Sequence, residues 1–145
     1  MTMAHYTEQW QITTESALRA VEGAVQHAVS LGIKINVAVC DASGTPIAFL
    51  RMNGAYLHSI SISEDKAYTA ASFGLPTSQW QQILNDHSEG VRLGLPARPR
   101  FVQFSGGLPV VVNGALVGGI GVSGGSEVQD EACARFGLVA AGIES

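Results

Sequence analysis

"GGIGVSGGSEVQDE", residues 118–131, carries a literal G-x-G-x-x-G at Gly119, Gly121 and Gly124, the spacing that lets a backbone approach a dinucleotide pyrophosphate. A dinucleotide fold needs that turn between a parallel strand and a crossover helix, followed by a second parallel strand and an acidic ribose contact. Here the preceding strand belongs to "LPVVVNGALVGGIGVS", two apolar runs joined at Asn113-Gly114, the strongest short hairpin signal. After Gly124 there is room for one helix only, and Glu144, near the offset of the ribose contact, is the penultimate residue. The stretch therefore reads as an antiparallel strand, with Gly119 and Gly121 where a close neighbour leaves no space for a side chain.

Working outward, Thr13 or Thr14 opens a first helix with an apolar stripe at Ala17, Leu18, Val21, Val25, Ala28 and Val29, closed by Gly32. "KINVAVCD" and "PIAFLRM", joined by the turn Asp41-Ala-Ser-Gly44, predict an antiparallel hairpin. The capping box Ser61-x-x-Glu64 predicts an alanine-rich helix to Phe73-Gly74, and "TSQWQQILNDHSEG" one further helix closed by Gly90. Residues 91–107 read as a long irregular loop, the kind that carries function or covers another subunit. A second capping box, Ser126 with Gln129, opens a last helix with Ala132, Phe136, Val139, Ala140 and Ile143 on its buried side. The sum is an α+β fold: one domain over 1–145 with an N-terminal extension at 1–12, and an antiparallel sheet of about five strands with helices on both faces.

Composition limits what such a domain does. Hydrophobic residues make up 46% of the 145 and charged ones only 14%, a surface that leaves apolar patches on a lone monomer and implies self-association into a dimer or larger symmetric oligomer. The net charge of -4, with no basic face, argues against nucleic acid, whose affinity comes from neutralised phosphates. Neither a leader pattern nor a run of 18 apolar residues occurs, so no membrane partner and a cytoplasmic location are expected. Cys40 and Cys133 have no metal spacing and read as small buried hydrophobes.

The chemical candidates each stand beside an ordinary alternative. Ser63-x-x-Lys66 matches S-x-x-K without its companion motifs. Lys66 among Ala67, Ala70 and Ala71 is placed to reach a pocket at a subunit contact, where partial burial lowers its pKa and suits it to proton transfer; otherwise it is a solvated helix lysine. Arg51 and Asn53 on a turn suit a carboxylate, or merely end an edge strand. His58 before a helix is a base or an axial haem ligand. Asp86-His87-Ser88-Glu89 offers metal donors but fits a solvated helix end better, and no metal site is expected. Arg98 and Arg100 meet an anion or pair with acids. Gly124, Gly125 and Ser126 offer helix-start N–H groups, yet Glu127, Asp130 and Glu131 beside them repel a phosphate and suit a donor-bearing or cationic group.

The ordered set "VAVCDASGTPIAFLRMNGA", "SISEDKAYTAASFG" and "SGGLPVVVNGALVGGIGVSGGSEVQDE" resembles the haem-degrading, GlcG/HbpS-like family, which also includes the C-terminal domain of PduO-type adenosyltransferases. The resemblance covers nearly the whole chain from Thr13. It implies an antiparallel sheet between helices and symmetric oligomers, and makes haem or another tetrapyrrole the leading small-molecule ligand, although the residues themselves specify no cofactor. Lys66, Gly106, Gly107, Gly124, Gly125 and Asp130 match the family pattern and are expected around one pocket. Asn53 stands where the family usually has aspartate, so a role requiring a carboxylate is not carried over, nor is any haem ligand; His58 rests on chemistry alone. The expected function is an oligomeric ligand-binding protein with Asn53, His58, Arg98, Gly106, Gly107, Gly124, Gly125, Ser126 and Glu127 toward the ligand. The alternative is a cofactor-free catabolic lyase or isomerase acting on an organic acid or aromatic compound, with Lys66, Arg51 and Asp130 as its catalytic group; an oligomeric adaptor without ligand is the third.

Overall fold

The structure, a computed structural model, describes residues 2–144. Thr13 starts the first helix by accepting a hydrogen bond from Ser16 N at 3.1 Å, and α1 (Thr14–Leu31) ends at left-handed Gly32, satisfying the two helix ends with local groups. The hairpin β1 (Asn36–Asp41) and β2 (Pro46–Arg51) turns on Asp41, whose Oδ1 accepts from Ser43 N at 2.9 Å and Thr45 N at 3.0 Å. Then follow α2 (His58–Phe73), a 3₁₀ turn at Thr77–Gln79, α3 (Trp80–Asn85) and α4 (Glu89–Gly94). β3 (Gly107–Val112), β4 (Ala115–Ser123) and α5 (Glu127–Ala140) complete the chain. Asn113 and Gly114 between β3 and β4 both have positive φ, 51° and 79°, as the hairpin turn requires.

The strands lie in the order β2-β1-β4-β3, each neighbouring pair antiparallel. Alternation sorts their side chains into two unlike faces. Val37, Val39, Leu108, Val110, Ile120 and Val122 point at α1 and α5 and form the main core with Ala17, Ala20, Val21 and Leu138. The opposite face is nearly bare: Ala38 and Cys40 of β1 and the glycines Gly107, Gly119 and Gly121 receive α2 through Ala67 and Ala71. A Cβ at Gly119 would strike the carbonyl of Ala67, and one at Gly121 the carbonyl of Ser63, so α2 rests its backbone directly on β4. This is the close approach expected of those two glycines.

Several expectations are corrected. Among the described residues the sheet has four strands rather than about five, because the run from Gly107 to Ser123 forms a single hairpin in which the nine residues of β4 continue as one strand. α2 begins at His58, not at Ser61; it has no side-chain cap, and Ser61 Oγ instead donates to His58 O at 3.4 Å. The single helix expected over 77–90 breaks at Asp86 and His87, where Ser88 starts α4 by accepting from Val91 N. The buried stripe of α5 is Asp130, Cys133, Ala134, Gly137 and Leu138, while Phe136 and Val139 face outward; on α1 likewise Ala20, Gly23 and Ala24 are buried and Leu18 and Val29 are not. The two helices press together at Gly23 against Ala140 and at Gly137 against Ala20. At that spacing small residues define the buried face and larger ones are turned out.

Among the described residues no helix is long and apolar enough to cross a membrane. Both cysteines are free and buried, and burial pushes the thiol of Cys40 up to about 11 and that of Cys133 up to about 12.

The β4 glycines generate a stability prediction. Gly121→Ala and Gly119→Ala each force a methyl into the α2 backbone and are expected to cost about 2–4 kcal/mol in urea unfolding. Gly94→Ala, where nothing lies within 4 Å of the added carbon, is expected to be neutral or slightly stabilising. Equal effects at the three positions would refute the close-contact account.

Candidate functional site

Lys66 sits on α2 beside Ser63 and Ala67, the two residues held down by the β4 glycines, so its stem starts against the sheet. It runs past Gly106, where an added Cβ would lie 2.6 Å from Nζ and 3.0 Å from Cδ. There Nζ donates to Val122 O at 2.8 Å and to Asp130 Oδ2 at 3.2 Å. Asp130 comes from the first turn of α5, on the other side of the sheet, and its Oδ1 accepts from Gly125 N at 2.8 Å. The pair thus passes around the end of β4 and ties the two helical layers together. Lys66 is 1% exposed and Asp130 4%.

The roof over the ammonium is the segment 104–106. The Phe104 ring centroid lies 4.9 Å from Lys66 Nζ, within range of a cation–π contact, and Glu127 Oε1 accepts from Ser105 N at 3.0 Å. Gly106 there has φ +127°, a conformation natural to glycine alone. Burial pulls Lys66 below its ordinary 10.5, against the pull of Asp130 and Glu127. Burial likewise raises Asp130 above its ordinary 3.8, opposed by Lys66 and the Gly125 N–H. Desolvation outweighs attraction on both sides, so burial works against the charged form of each partner.

The residues singled out from sequence fall into three places. Lys66, Asp130, Gly106, Gly107, Gly124, Gly125, Ser126 and Glu127 come together at the sheet end. They enclose the ion pair rather than an open pocket, and Lys66 is buried within the chain itself rather than solvated. Gly107 is pinned by Thr77, whose Oγ1 accepts from Gly107 N at 2.9 Å. The start of α5 is not a free anion cradle: Gly125 N donates to Asp130, Ser126 N to Gln129 Oε1 at 3.0 Å, and Gln129 N to Ser126 Oγ at 3.2 Å. Ser63 does not face Lys66 Nζ; its hydroxyl donates to Ile60 O at 2.8 Å, so the S-x-x-K pairing is not built.

Arg51, Asn53 and His58 lie around the turn that leads into α2. Arg51 Nη2 donates to Ala55 O at 2.8 Å and so braces that turn, with Asn53 exposed beside it. His58 is exposed on the first turn of α2, next to exposed Tyr56 and Leu57, about 12 Å along the helix from Lys66. Arg98 is elsewhere, on the segment that covers the second half of α2. Sequence reading missed a buried polar group at the same sheet end: Ser123 Oγ donates to Ser59 Oγ at 3.1 Å, Asn36 Nδ2 to Tyr56 O at 3.2 Å, and Asn36 Oδ1 has no partner among the described residues. The only signal for it was a polar residue at the start of one apolar strand and another at the close of a second, Asn36 and Ser123, which the antiparallel register brings opposite each other.

Removing one partner of the pair strands the other charge in the interior, so Lys66→Met and Asp130→Asn are each expected to cost about 3–5 kcal/mol, and Lys66→Met/Asp130→Leu to recover much of that loss in a double-mutant cycle. The pH dependence follows in sign. Between 3.8 and the raised folded value, Asp130 keeps a proton that the unfolded chain has released, so stability falls as pH rises. Between the lowered folded value of Lys66 and 10.5, the unfolded chain binds a proton that the fold lacks, so stability rises with pH. Urea titrations of the double variant should lack both slopes.

A model of the family described as haem degrading protein HbpS-like matches residues 12–139. An uncharacterised 15.0 kDa protein from the dhaT-dhaS intergenic region of Citrobacter freundii is 32% identical over 127 residues, 88% of this chain and 89% of its own. The crystal structure of a Streptomyces reticuli HbpS double mutant superposes with a TM-score of 0.85 at 34% identity, covering 96% of this chain and 92% of that one. A PduOC:haem complex superposes at 0.82 with 29% identity, covering 90% and 94%. With that likeness of fold and a family match over residues 12–139, the chain belongs to the HbpS-like family.

Proposed function

We propose that this chain is a cytoplasmic, oligomeric small-ligand-binding protein whose ligand is haem or another tetrapyrrole, held at the His58 end of α2. The observation that carries this reading is an exposed imidazole flanked by Tyr56 at 69% and Leu57 at 75% exposure. A nitrogen donor beside uncovered apolar side chains is the chemistry that haem asks of a protein surface. The likeness to PduOC, a relative solved with haem, supports it. Haem supplies a redox-active iron when bound; this chain supplies His58 as the group to hold it and Tyr56 and Leu57 as its apolar rest. The self-association is supported by exposed Trp10, Phe49, Phe136 and Val139 on a weakly charged surface.

The buried Lys66–Asp130 pair favours a second reading, a cofactor-free lyase or isomerase in which Lys66 moves a proton. A substrate would reach it by displacing Phe104, whose ring is partly exposed. Arg51 is committed to bracing its turn and stands apart from the pair, so Lys66 and Asp130 carry the chemistry in this reading.

Titration with haem is expected to raise a visible absorption band at a saturable stoichiometry, and His58→Ala to weaken binding at least about tenfold, or 1.4 kcal/mol. An unchanged titration in that variant would remove His58 from the site. Gel filtration is expected at a multiple of 15.2 kDa. Turnover of a small acid that survives haem and metal removal and is lost in Lys66→Ala would select the second reading instead.

A further inference from the structure

Beyond α4 the chain folds back over the second half of α2 and leaves a cleft of about 250 Å³ lined by Arg98, Tyr68, Ser72, Phe73 and Phe101 among others. We propose that this cleft binds a small carboxylate with a planar apolar body, and that Arg98 is the group that takes the carboxylate.

The first argument is a charge account. Two arginines border the cleft, and one is committed: Arg100 Nε donates to Asp65 Oδ1 at 2.8 Å and its guanidinium lies 3.7 Å over the Tyr68 ring. The side chain of Arg98 has no hydrogen-bond or ion-pair partner among the described residues, its backbone alone being engaged through Leu95 O and Phe101 N. An unpaired guanidinium on a cleft wall presents a planar fork of donors that matches a carboxylate. A phosphate dianion is a poorer match, since the remaining walls, with Tyr68, Phe73, Phe101, Leu95 and Pro99 among them, offer no second free cation among the described residues.

The wall that carries Arg98 is also fixed rather than loose. Arg100 adopts φ +65°, a left-handed conformation unusual for a residue with a side chain. It is held there because Thr69 Oγ1 donates to Arg100 O at 2.9 Å and accepts from Val102 N at 3.1 Å. Such a conformation persists only where its surroundings over-determine it, and here the result is that Arg98, Pro99 and Phe101 are set against α2. The interior side is aromatic: Phe101 meets Phe73 edge-on at 6.0 Å and Trp80 at 4.9 Å. The volume lies below the range of drug-sized sites, which suits a single-ring or short unsaturated acid and rules out a haem. Residues 68–73 lie at least about 15 Å along α2 from His58, so this site stands independently of the haem reading.

Benzoate serves as the probe, titrated into the ¹⁵N-labelled full chain with amide shifts recorded. Saturable shifts are expected at residues 68–73 and 95–101. Arg98→Ala and Arg98→Gln, which remove a side chain without partners and should melt like the wild type, are expected to weaken benzoate at least about tenfold. Benzyl alcohol, the same ring without the charge, should bind the wild type at least about tenfold more weakly. The proposal is overturned if benzoate produces no saturable shifts, if they map elsewhere, if both Arg98 variants bind like the wild type, or if benzyl alcohol binds as well as benzoate. Haem titration of Arg98→Ala separates the two sites: retention of the absorption band with loss of benzoate shifts is the expected result, and loss of both would overturn their independence.

Discussion

The absence of side chains along one stripe of β4 is the constraint from which the rest of the molecule follows. With Gly119 and Gly121 beneath it, α2 lies with its own peptide groups against the strand, closer than any helix with ordinary side chains below it could come. That proximity makes the two layers unequal. The face toward α1 and α5 is a conventional core of valine, isoleucine and leucine, whereas the face toward α2 is held by small residues and polar contacts at its ends. Because α2 is seated so low, a lysine on its flank cannot extend into water.

Lys66 therefore travels sideways to the end of the sheet, and the chain provides for it there with a strand carbonyl, a carboxylate from the opposite layer and an aromatic ring. The charges cost desolvation that their attraction does not fully repay, so the pair is better understood as a registration device than as a source of stability. It joins three parts distant in sequence: the middle of α2, the turn before β3 and the first turn of α5. The same arrangement also places a buried acid and a buried base side by side under a roof of three residues, so any chemistry at this point depends on how readily that roof lifts.

Local signals made most of the architecture readable in advance. Asn113-Gly114, the Thr13 and Ser126 caps and the alternation in 35–41 each act over a few residues, and each element they imply is present. Where sequence reading went astray, a tertiary contact had overruled a local pattern. The outward turn of Phe136 and Val139 follows from the approach of α1 to α5 through Gly23 and Gly137, which a count of apolar residues ranks as unimportant. Ser61 looks like a cap, yet the helix has already begun three residues earlier, seeded by turns through Tyr56 and Leu57. The family resemblance sets Lys66 and Asp130 around one pocket, but no local pattern pairs residues 64 positions apart as direct partners. The commitment of Arg100 to Asp65 and Tyr68, which leaves Arg98 free, depends in the same way on a loop path that local propensity does not specify.

The two sealed thiols have a chemical consequence. Nucleophilic attack on peroxide, exchange with disulfides and capture of soft metals all proceed through thiolate, and at neutral pH neither Cys40 nor Cys133 supplies it, both being protonated and closed off from solvent. The chain is therefore chemically quiet toward oxidants at its two cysteines. A fold that keeps its thiols out of reach can stand beside reactive oxygen species without forming disulfides to its neighbours, and any sensitivity to oxidation must be sought at methionine, such as exposed Met3, at tryptophan or at a bound group.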